Sequence, residues 1–302
     1  MSHHWGYVSA IASAVLFGIS STLNKITLEN VHPSVVAGMI YLIGGFFLFG
    51  IHVSPLCKRL LSLFETPEAE AKISGRDFRI LAFVILSGSI IAPLLLLNGL
   101  RETTAINASL LLNAESLFTV LIAFAFLKER GTRRDYLSIF MLLVGVVFVT
   151  TNGEFQRLSL TENILGNLLI VGASFFWGID NNISRFLSKK RDIILVTGLK
   201  CFIGGLALLV ISLLLGIDLS IPLISIPYLL SVGALSIAFS ILLFLFALRK
   251  IGSMRTGVIF SMSSLFGAVL AFAVLREAFT PMQLIAGLVM LLGVYVLYRY
   301  PK

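Results

Sequence analysis

Apolar residues run along this chain in long stretches separated by short polar clusters. Ten stretches stand out, at approximately 6–24, 34–53, 79–100, 104–127, 135–151, 164–186, 194–216, 226–248, 254–275 and 281–299. Each is near the roughly 20 residues that an α-helix needs to cross the hydrocarbon core of a bilayer. Most are apolar all round, whereas a helix on the surface of a soluble protein keeps a polar stripe. Residues 79–127 would form one overlong helix but for Arg101, Glu102, Thr103 and Thr104, which predict a turn between two spans. Connections are short except for 54–78, which holds Lys58, Arg59, Glu65, Glu68, Glu70, Lys72, Arg76 and Asp77. The pattern predicts an all-α integral membrane protein of ten transmembrane helices.

Composition agrees. Of 302 residues, 58% are hydrophobic and 13% charged, with a mean hydropathy of +1.00. A soluble domain is about one quarter charged, so too few polar groups are present to cover a soluble surface. The net charge of +8 could suggest nucleic-acid binding. The basic residues instead sit at the ends of the apolar runs, where topology places them. With a cytoplasmic N-terminus, 18 of the 23 lysines and arginines fall on the inner side, and Lys25, Arg101, Arg157 and Arg276 on the outer. That bias predicts a multi-pass protein of the cell membrane with both termini cytoplasmic, and one span more or fewer would invert every later loop. The first run reads as a retained helix rather than a cleaved signal peptide. Cys57 lies beside a charged loop and Cys201 inside an apolar run, so no disulfide framework is expected.

The chain also repeats itself. At an offset of 160 residues, Phe17-Gly18-Ile19 meets Trp177-Gly178-Ile179, Lys25 meets Arg185, Gly38 meets Gly198, and Gly44-Gly45 meets Gly204-Gly205. At an offset of 148, Leu100-Arg101 meets Leu248-Arg249 and Ser116-Leu117-Phe118 meets Ser264-Leu265-Phe266. At the same offset Ala123-Phe124-Ala125 meets Ala271-Phe272-Ala273, Glu129 meets Glu277, and Gly145 meets Gly293. The division falls into residues 1–152 and 153–302. Five spans per half is an odd number, so the second half would enter the membrane the other way up. Such inverted repeats recur in secondary transporters, with the substrate site near the midplane between the halves.

The duplicated order of these motifs resembles the EamA-type transporters of the drug/metabolite transporter superfamily. It rests on Phe17-Gly18 and Trp177-Gly178 in the first helix of each half. It rests also on Leu127-Lys128-Glu129 and Leu275-Arg276-Glu277 at the end of each fourth helix, followed by fifth helices bearing Gly145 and Gly293. The strings Leu110-Leu111-Leu112-Asn113-Ala114-Glu115 and Trp177-Gly178-Ile179-Asp180-Asn181-Asn182 add a narrower resemblance to a subgroup of EamA proteins. The resemblance implies a ten-helix bundle whose central cavity is lined by the first, third and fourth helices of each half. It also implies transport, often export, of amino acids or other small metabolites.

Charged groups inside a bilayer cost about 2.5–3.5 kcal/mol each on insertion scales, so those in the spans are candidates for function. Glu115 lies mid-span, sharing a face with Leu111 and Thr119. It would bind a cationic group or carry a proton, or pair with a base and lock helices together. Asp180 begins Asp180-Asn181-Asn182, three polar side chains that cannot all face lipid. They would face a cavity or bond between helices. Lys200 could snorkel to the interface or neutralise Asp180 or Glu115. Arg185 reads as an interface anchor, and Glu129 and Glu277 as interface ion pairs. Trp177 and Phe17 could stack on a substrate or simply pack. Asn113, Asn181 and Ser263 are further hydrogen-bonding candidates. The glycine pairs suit close helix approach.

No metal-ligand spacing links His3, His4, His32 and His52, and no P-loop, dinucleotide fingerprint or nucleophile triad appears in context. No cofactor is therefore expected. The expected partners are a small-molecule substrate and the lipid bilayer, not nucleic acid, and monomer and homodimer both fit. The leading expectation is a secondary transporter with Glu115 and Asp180 as its main polar groups. A membrane-embedded enzyme would call for a cluster of His, Asp or Glu near one interface, which is not visible. A receptor or scaffold would fit poorly with mid-membrane acids and a repeat.

Overall fold

A computed structural model describes residues 2–55, 75–102, 105–126, 132–151, 164–190, 192–276 and scattered positions between 281 and 296. Among the described residues the chain is helical and has no strand. Helices α1 (Ser2–Leu28) and α2 (Pro33–Val53) come first. A third span follows as α3 (Gly75–Val84), a π-helical segment at Ile85–Ile91, and α4 (Ala92–Glu102). Helices α5 (Ala105–Leu111) and α6 (Asn113–Phe126) fall within the expected fourth span, and α7 (Arg133–Thr151) covers the expected fifth. Then come α8 (Ile164–Lys190) and α9 (Ile193–Leu214). A 3-10 turn at Leu223–Ser225 leads into α10 (Ile226–Ser231), a second π-helical segment at Val232–Phe239, and α11 (Ser240–Phe260). Helix α12 (Ser263–Leu275) ends the well-described part.

Five helical stretches, His4–Leu28, Pro33–Val53, Asp77–Glu102, Ile193–Leu214 and Leu223–Phe260, are long and apolar enough to cross a membrane. The last spans 38 residues but turns at Gly252, whose φ of 81° and ψ of 170° break the winding. That break divides the expected eighth span from the ninth. Of the expected turn at Arg101–Thr104, Arg101 and Glu102 are still helical at the end of α4, Thr103 and Thr104 lie outside the described residues, and α5 starts at Ala105. The tenth span lies largely outside the described residues, as do Cys57, Glu129 and Glu277. Cys201 is buried and makes no disulfide.

Polarity is distributed as a bilayer requires. Large apolar side chains such as Phe46, Phe126, Phe140, Leu165 and Leu214 point outward, while Ser13, Thr22, Asn24, Ser174 and Asn182 are buried. A soluble protein with so many exposed apolar side chains would aggregate, whereas lipid solvates them. Hydroxyls that cannot reach water return to the backbone one turn earlier. Thr27, Thr197, Ser212 and Thr256 each donate to a carbonyl four residues back, at 2.6–2.9 Å. Helix α9 starts with the Asp192 carboxylate accepting from the N–H groups of Ile194 and Leu195.

Glycine sets the assembly. Without a hydrophobic force between helices in lipid, close van der Waals approach does the packing, and small residues permit it. Helices α2 and α9 form the most extensive helix pair. A Cβ on Gly45 would lie 2.6 Å from the Phe202 amide nitrogen, and one on Gly205 would overlap the backbone of Leu42. The neighbouring glycines reach further across. Gly44 abuts the Gly233 carbonyl in the second π-helical segment, and Gly204 abuts Ser89 in the first. Helix α1 packs on α11 and α12, and α8 packs on α4 and α6. Gly18 sits against Ser263 and Phe266 of α12, and Gly178 against Phe118 of α6. Each first helix of the sequence repeat thus lies against the third and fourth spans of the other repeat.

Backbone atoms on both sides of these contacts leave no flexible atom to move aside. We expect Gly45→Ala and Gly205→Ala each to destabilise by about 1–3 kcal/mol, the usual cost of overpacking. Gly50 meets nothing within 4 Å, so Gly50→Ala should leave the melting temperature in detergent unchanged or raised. Equal melting temperatures for all three variants would refute the spine.

Candidate functional site

Three breaks in helical winding aim side chains at one point in the bundle. At Leu112 the chain tightens between α5 and α6, and the Glu115 amide bonds the Leu112 carbonyl at 3.0 Å. Glu115 therefore stands in the first turn of α6, where the helix dipole favours an acid. In the first π-helical segment the Ala92 amide bonds the Ser87 carbonyl, five residues back. The next amide would serve Gly88, but residue 93 is proline and has none. The Gly88 carbonyl is left to other donors, and it finds two: Trp177 Nε1 at 2.9 Å and the Tyr41 hydroxyl at 3.1 Å. The third break, at Ser261 and Met262, ends α11 with Phe260.

Helix α8 supplies most of the polar groups. Trp177, Asp180 and Asn181 follow at i, i+3 and i+4 and share a face. Lys200 of α9 donates to Oδ2 of Asp180, and both side chains are about 96% buried or more. Ser184 donates to Oδ1 of the same carboxylate at 2.9 Å. Asn181 Nδ2 donates to Glu115 Oε1 at 2.8 Å and to Thr119 Oγ1 at 3.1 Å. Asn182 donates to the carbonyls of Thr119 and Gly178. These bonds tie α8 to α6. Position 88 must be glycine, since a Cβ there would overlap the Asp180 carboxylate.

The groups enclose a cavity of about 40 Å³, lined by Phe17, Tyr41, Gly88, Glu115, Trp177, Asp180, Asn181, Lys200, Ser240, Phe244 and Phe260 together with Ile241 and Leu245. A water occupies roughly 10–15 Å³ by this measure, so a few would fit. Four rings follow one another along the wall. Phe17 meets Trp177 edge-on at 5.9 Å and Phe260 at 5.0 Å, and Phe260 meets Phe244 at 4.8 Å. Among the described residues no three of His, Cys, Asp or Glu gather as a metal site.

Of the residues singled out from sequence, Glu115, Asp180, Asn181, Trp177, Phe17 and Lys200 meet at this cavity. Lys200 does not snorkel, because Asp180 holds it inside. Ser263 does not line the cavity; its carbonyl abuts Gly18. Asn113 begins α6, and its side chain lies outside the described residues. Arg185 is half-buried further along α8. Sequence reasoning passed over Tyr41, Gly88 and Ser240. Pro93 signalled an orphaned carbonyl, but α-helical winding would put it at Ser89, and only the π-helical segment moves it to Gly88. Tyr41 carried a weaker one, as a lone hydroxyl in the middle of α2. Ser240 exchanges hydrogen bonds with Ser13, each hydroxyl donating to the other's carbonyl at 2.8–3.0 Å.

The model of the EamA-like transporter family matches residues 4–151 and again residues 164–299. The chain belongs to the EamA-like transporter family. This EamA-like chain is 44% identical over 299 residues to an uncharacterized transporter of Methanothermobacter thermautotrophicus, covering 99% of this chain and 87% of that one. It is 24% identical to the uncharacterized transporter YyaM of Bacillus subtilis, covering 100% and 97%. One crystal structure aligns with a TM-score of 0.76 over 97% of this chain and 96% of that chain at 15% identity, a likeness of fold alone. The protein is a multi-pass membrane protein of a transporter family. Its cavity is lined by the first, third and fourth spans of each repeat, as the resemblance implied, and also by Tyr41 and Lys200 of the second ones.

Removing one partner of a buried ion pair strands the other charge, at a cost of about 3–5 kcal/mol. Lys200→Met should therefore lower the melting temperature sharply. Adding Asp180→Asn to it should restore most of the loss. A double variant no better than the single one would show that the pair is not coupled.

Proposed function

We propose that the protein is a secondary transporter that moves small metabolites across the cytoplasmic membrane by alternating access, most simply as an exporter. Residues 1–152 and 153–302 act as two inverted five-helix repeats, with both termini cytoplasmic. The observation that carries this reading is the cavity itself. Two acids, a lysine and an asparagine lie deep in an apolar bundle, at a point where helices of both repeats meet. Charges are kept in such a place at a cost, which transport chemistry explains and packing alone does not.

The mechanism follows from the contacts. The glycine-packed pair of α2 and α9 forms a stiff spine. Around it α1 and α8 each bridge to the other repeat, so rocking of one repeat against the other would expose the cavity first to one side and then to the other. Asn181 to Glu115 and Thr119, and Trp177 to Gly88, are the cross-repeat bonds that such a motion would loosen. Metabolites with an amino group suit a site that holds carboxylates. An enzymatic role is not favoured, because the polar groups lie deep in the bundle and hold no nucleophile paired with a base.

The test is counterflow in proteoliposomes loaded with a defined mixture of small metabolites and read by mass spectrometry. Flux of at least one component above empty liposomes is expected. Glu115→Gln and Asp180→Asn should each lower it about tenfold or more, the factor that one charge-assisted hydrogen bond supplies. No flux, or flux untouched by both substitutions, would overturn the proposal or its site.

A further inference from the structure

Within the cavity the charges are unequally committed. Lys200 is the one cation among its described lining residues, and Asp180 takes it. Ser184 occupies the other Asp180 oxygen. Glu115 is different. It faces the same cavity with one neutral donor, the Asn181 amide on Oε1, and no ion pair is formed to it among the described residues. An acid therefore stands ready for a cation, while no cation stands ready for an acid. The wall adds a second preference. The rings of Trp177, Phe17, Phe260 and Phe244 form a continuous arc around the same space, and ring faces attract ammonium groups but not carboxylates.

We infer that this cavity selects organic monocations, amines that lack a carboxylate, over amino acids and organic acids. The inference rests on the transport reading above for its biological setting, but not for its binding chemistry. An alkylammonium places its charge by Glu115 and the arc of rings and leaves the Asp180–Lys200 pair intact. An amino acid brings a carboxylate as well, and the nearest base for it is already bonded to Asp180. Accepting it means breaking that pair and leaving Asp180 without its partner in a medium that penalises lone charge. Glu115 is the specificity-determining residue on this account, and Lys200 guards the site against anions by being occupied.

The experiment uses the full chain in detergent and three matched probes: isopentylamine, leucine and 4-methylpentanoate. These share one branched carbon skeleton and differ in carrying the amine, both groups or the acid. The chain has two tryptophans, so Trp5→Phe leaves Trp177 in the cavity wall as the reporter. Fluorescence titration should show isopentylamine binding at least about tenfold tighter than leucine, one charge-assisted contact's worth, and no response to 4-methylpentanoate. Glu115→Gln should weaken the amine by a similar factor while its melting temperature stays near that of the parent. Gly50→Ala, at a glycine that meets nothing within 4 Å and does not line the cavity, should leave the amine's affinity within about threefold, well short of a lost contact. Leucine binding as tightly as the amine, no amine binding at all, or an amine affinity indifferent to Glu115→Gln would each overturn the inference. Amine binding without flux in proteoliposomes would uphold it and sink the transport reading; flux of amino acids with no amine binding would do the reverse.

Discussion

An ammonium and a carboxylate deep inside an apolar bundle are tolerable only together, and the region around Asp180 and Lys200 is arranged to keep them so. Taking each ion out of water costs several kcal/mol, and mutual attraction repays that only when geometry is good and the remaining lone pairs are satisfied. Ser184 satisfies one of them. The bare backbone at Gly88 makes room for the carboxylate. In the π-helical register the donor to that glycine's carbonyl would be residue 93, which is proline and has no N–H, and the carbonyl then holds Trp177 and Tyr41. The ion pair, a glycine, a proline and a stretch of π-helix thus meet at one point, and the freed carbonyl there sets the posture of two aromatic side chains. Such a pair is weak evidence for stability. It joins α8 to α9 beside the first π-helical segment.

The packing that surrounds the pair is of another kind. Glycines 44, 45, 204 and 205 bring backbone against backbone, and their effect is geometric. Gly45 and Gly205 bring α2 and α9 into backbone contact, and Gly44 and Gly204 bring each π-helical segment against the second helix of the opposite repeat. Polar groups then do inside the bundle what apolar groups do in a soluble core. The exchange between Ser13 and Ser240 and the bond of Asn182 to the Thr119 carbonyl join helices that lipid would not otherwise drive together.

Much of this was legible in the sequence, and the reasons differ by feature. Apolar run length gave the spans because the bilayer imposes a length and tolerates few charges. Offsets of 160 and 148 located the glycine pairs, and the structure places those glycines at the contacts their spacing predicts. Asp180, Glu115 and Lys200 were visible because a charge in an apolar run stands out. Their partners were not visible. Which base takes which acid depends on the rotation of α8 against α9, and no local pattern reports that angle. Gly88 was hidden for a similar reason, since its role is played by a carbonyl that every residue possesses. Ser263, a hydrogen-bonding candidate that matches Glu115 under the 148-residue offset, turns its backbone to Gly18, because the matching break in winding falls at Ser261 and Met262 rather than at the equivalent of Leu112.

The two repeats are alike in outline and unlike at the cavity. Under the same offsets Glu115 corresponds to Ser263, Asp180 to Ser20, Lys200 to Ile40 and Trp177 to Phe17. A pair of identical chains related by a twofold axis presents every wall twice, so a ligand bound there has two equivalent orientations and no reason to prefer either. One acid, one ion pair and one indole remove that degeneracy. On the reading proposed above, a cation held here would point its charged end toward Glu115 of α6, and the cavity would offer it one orientation instead of two equivalent ones.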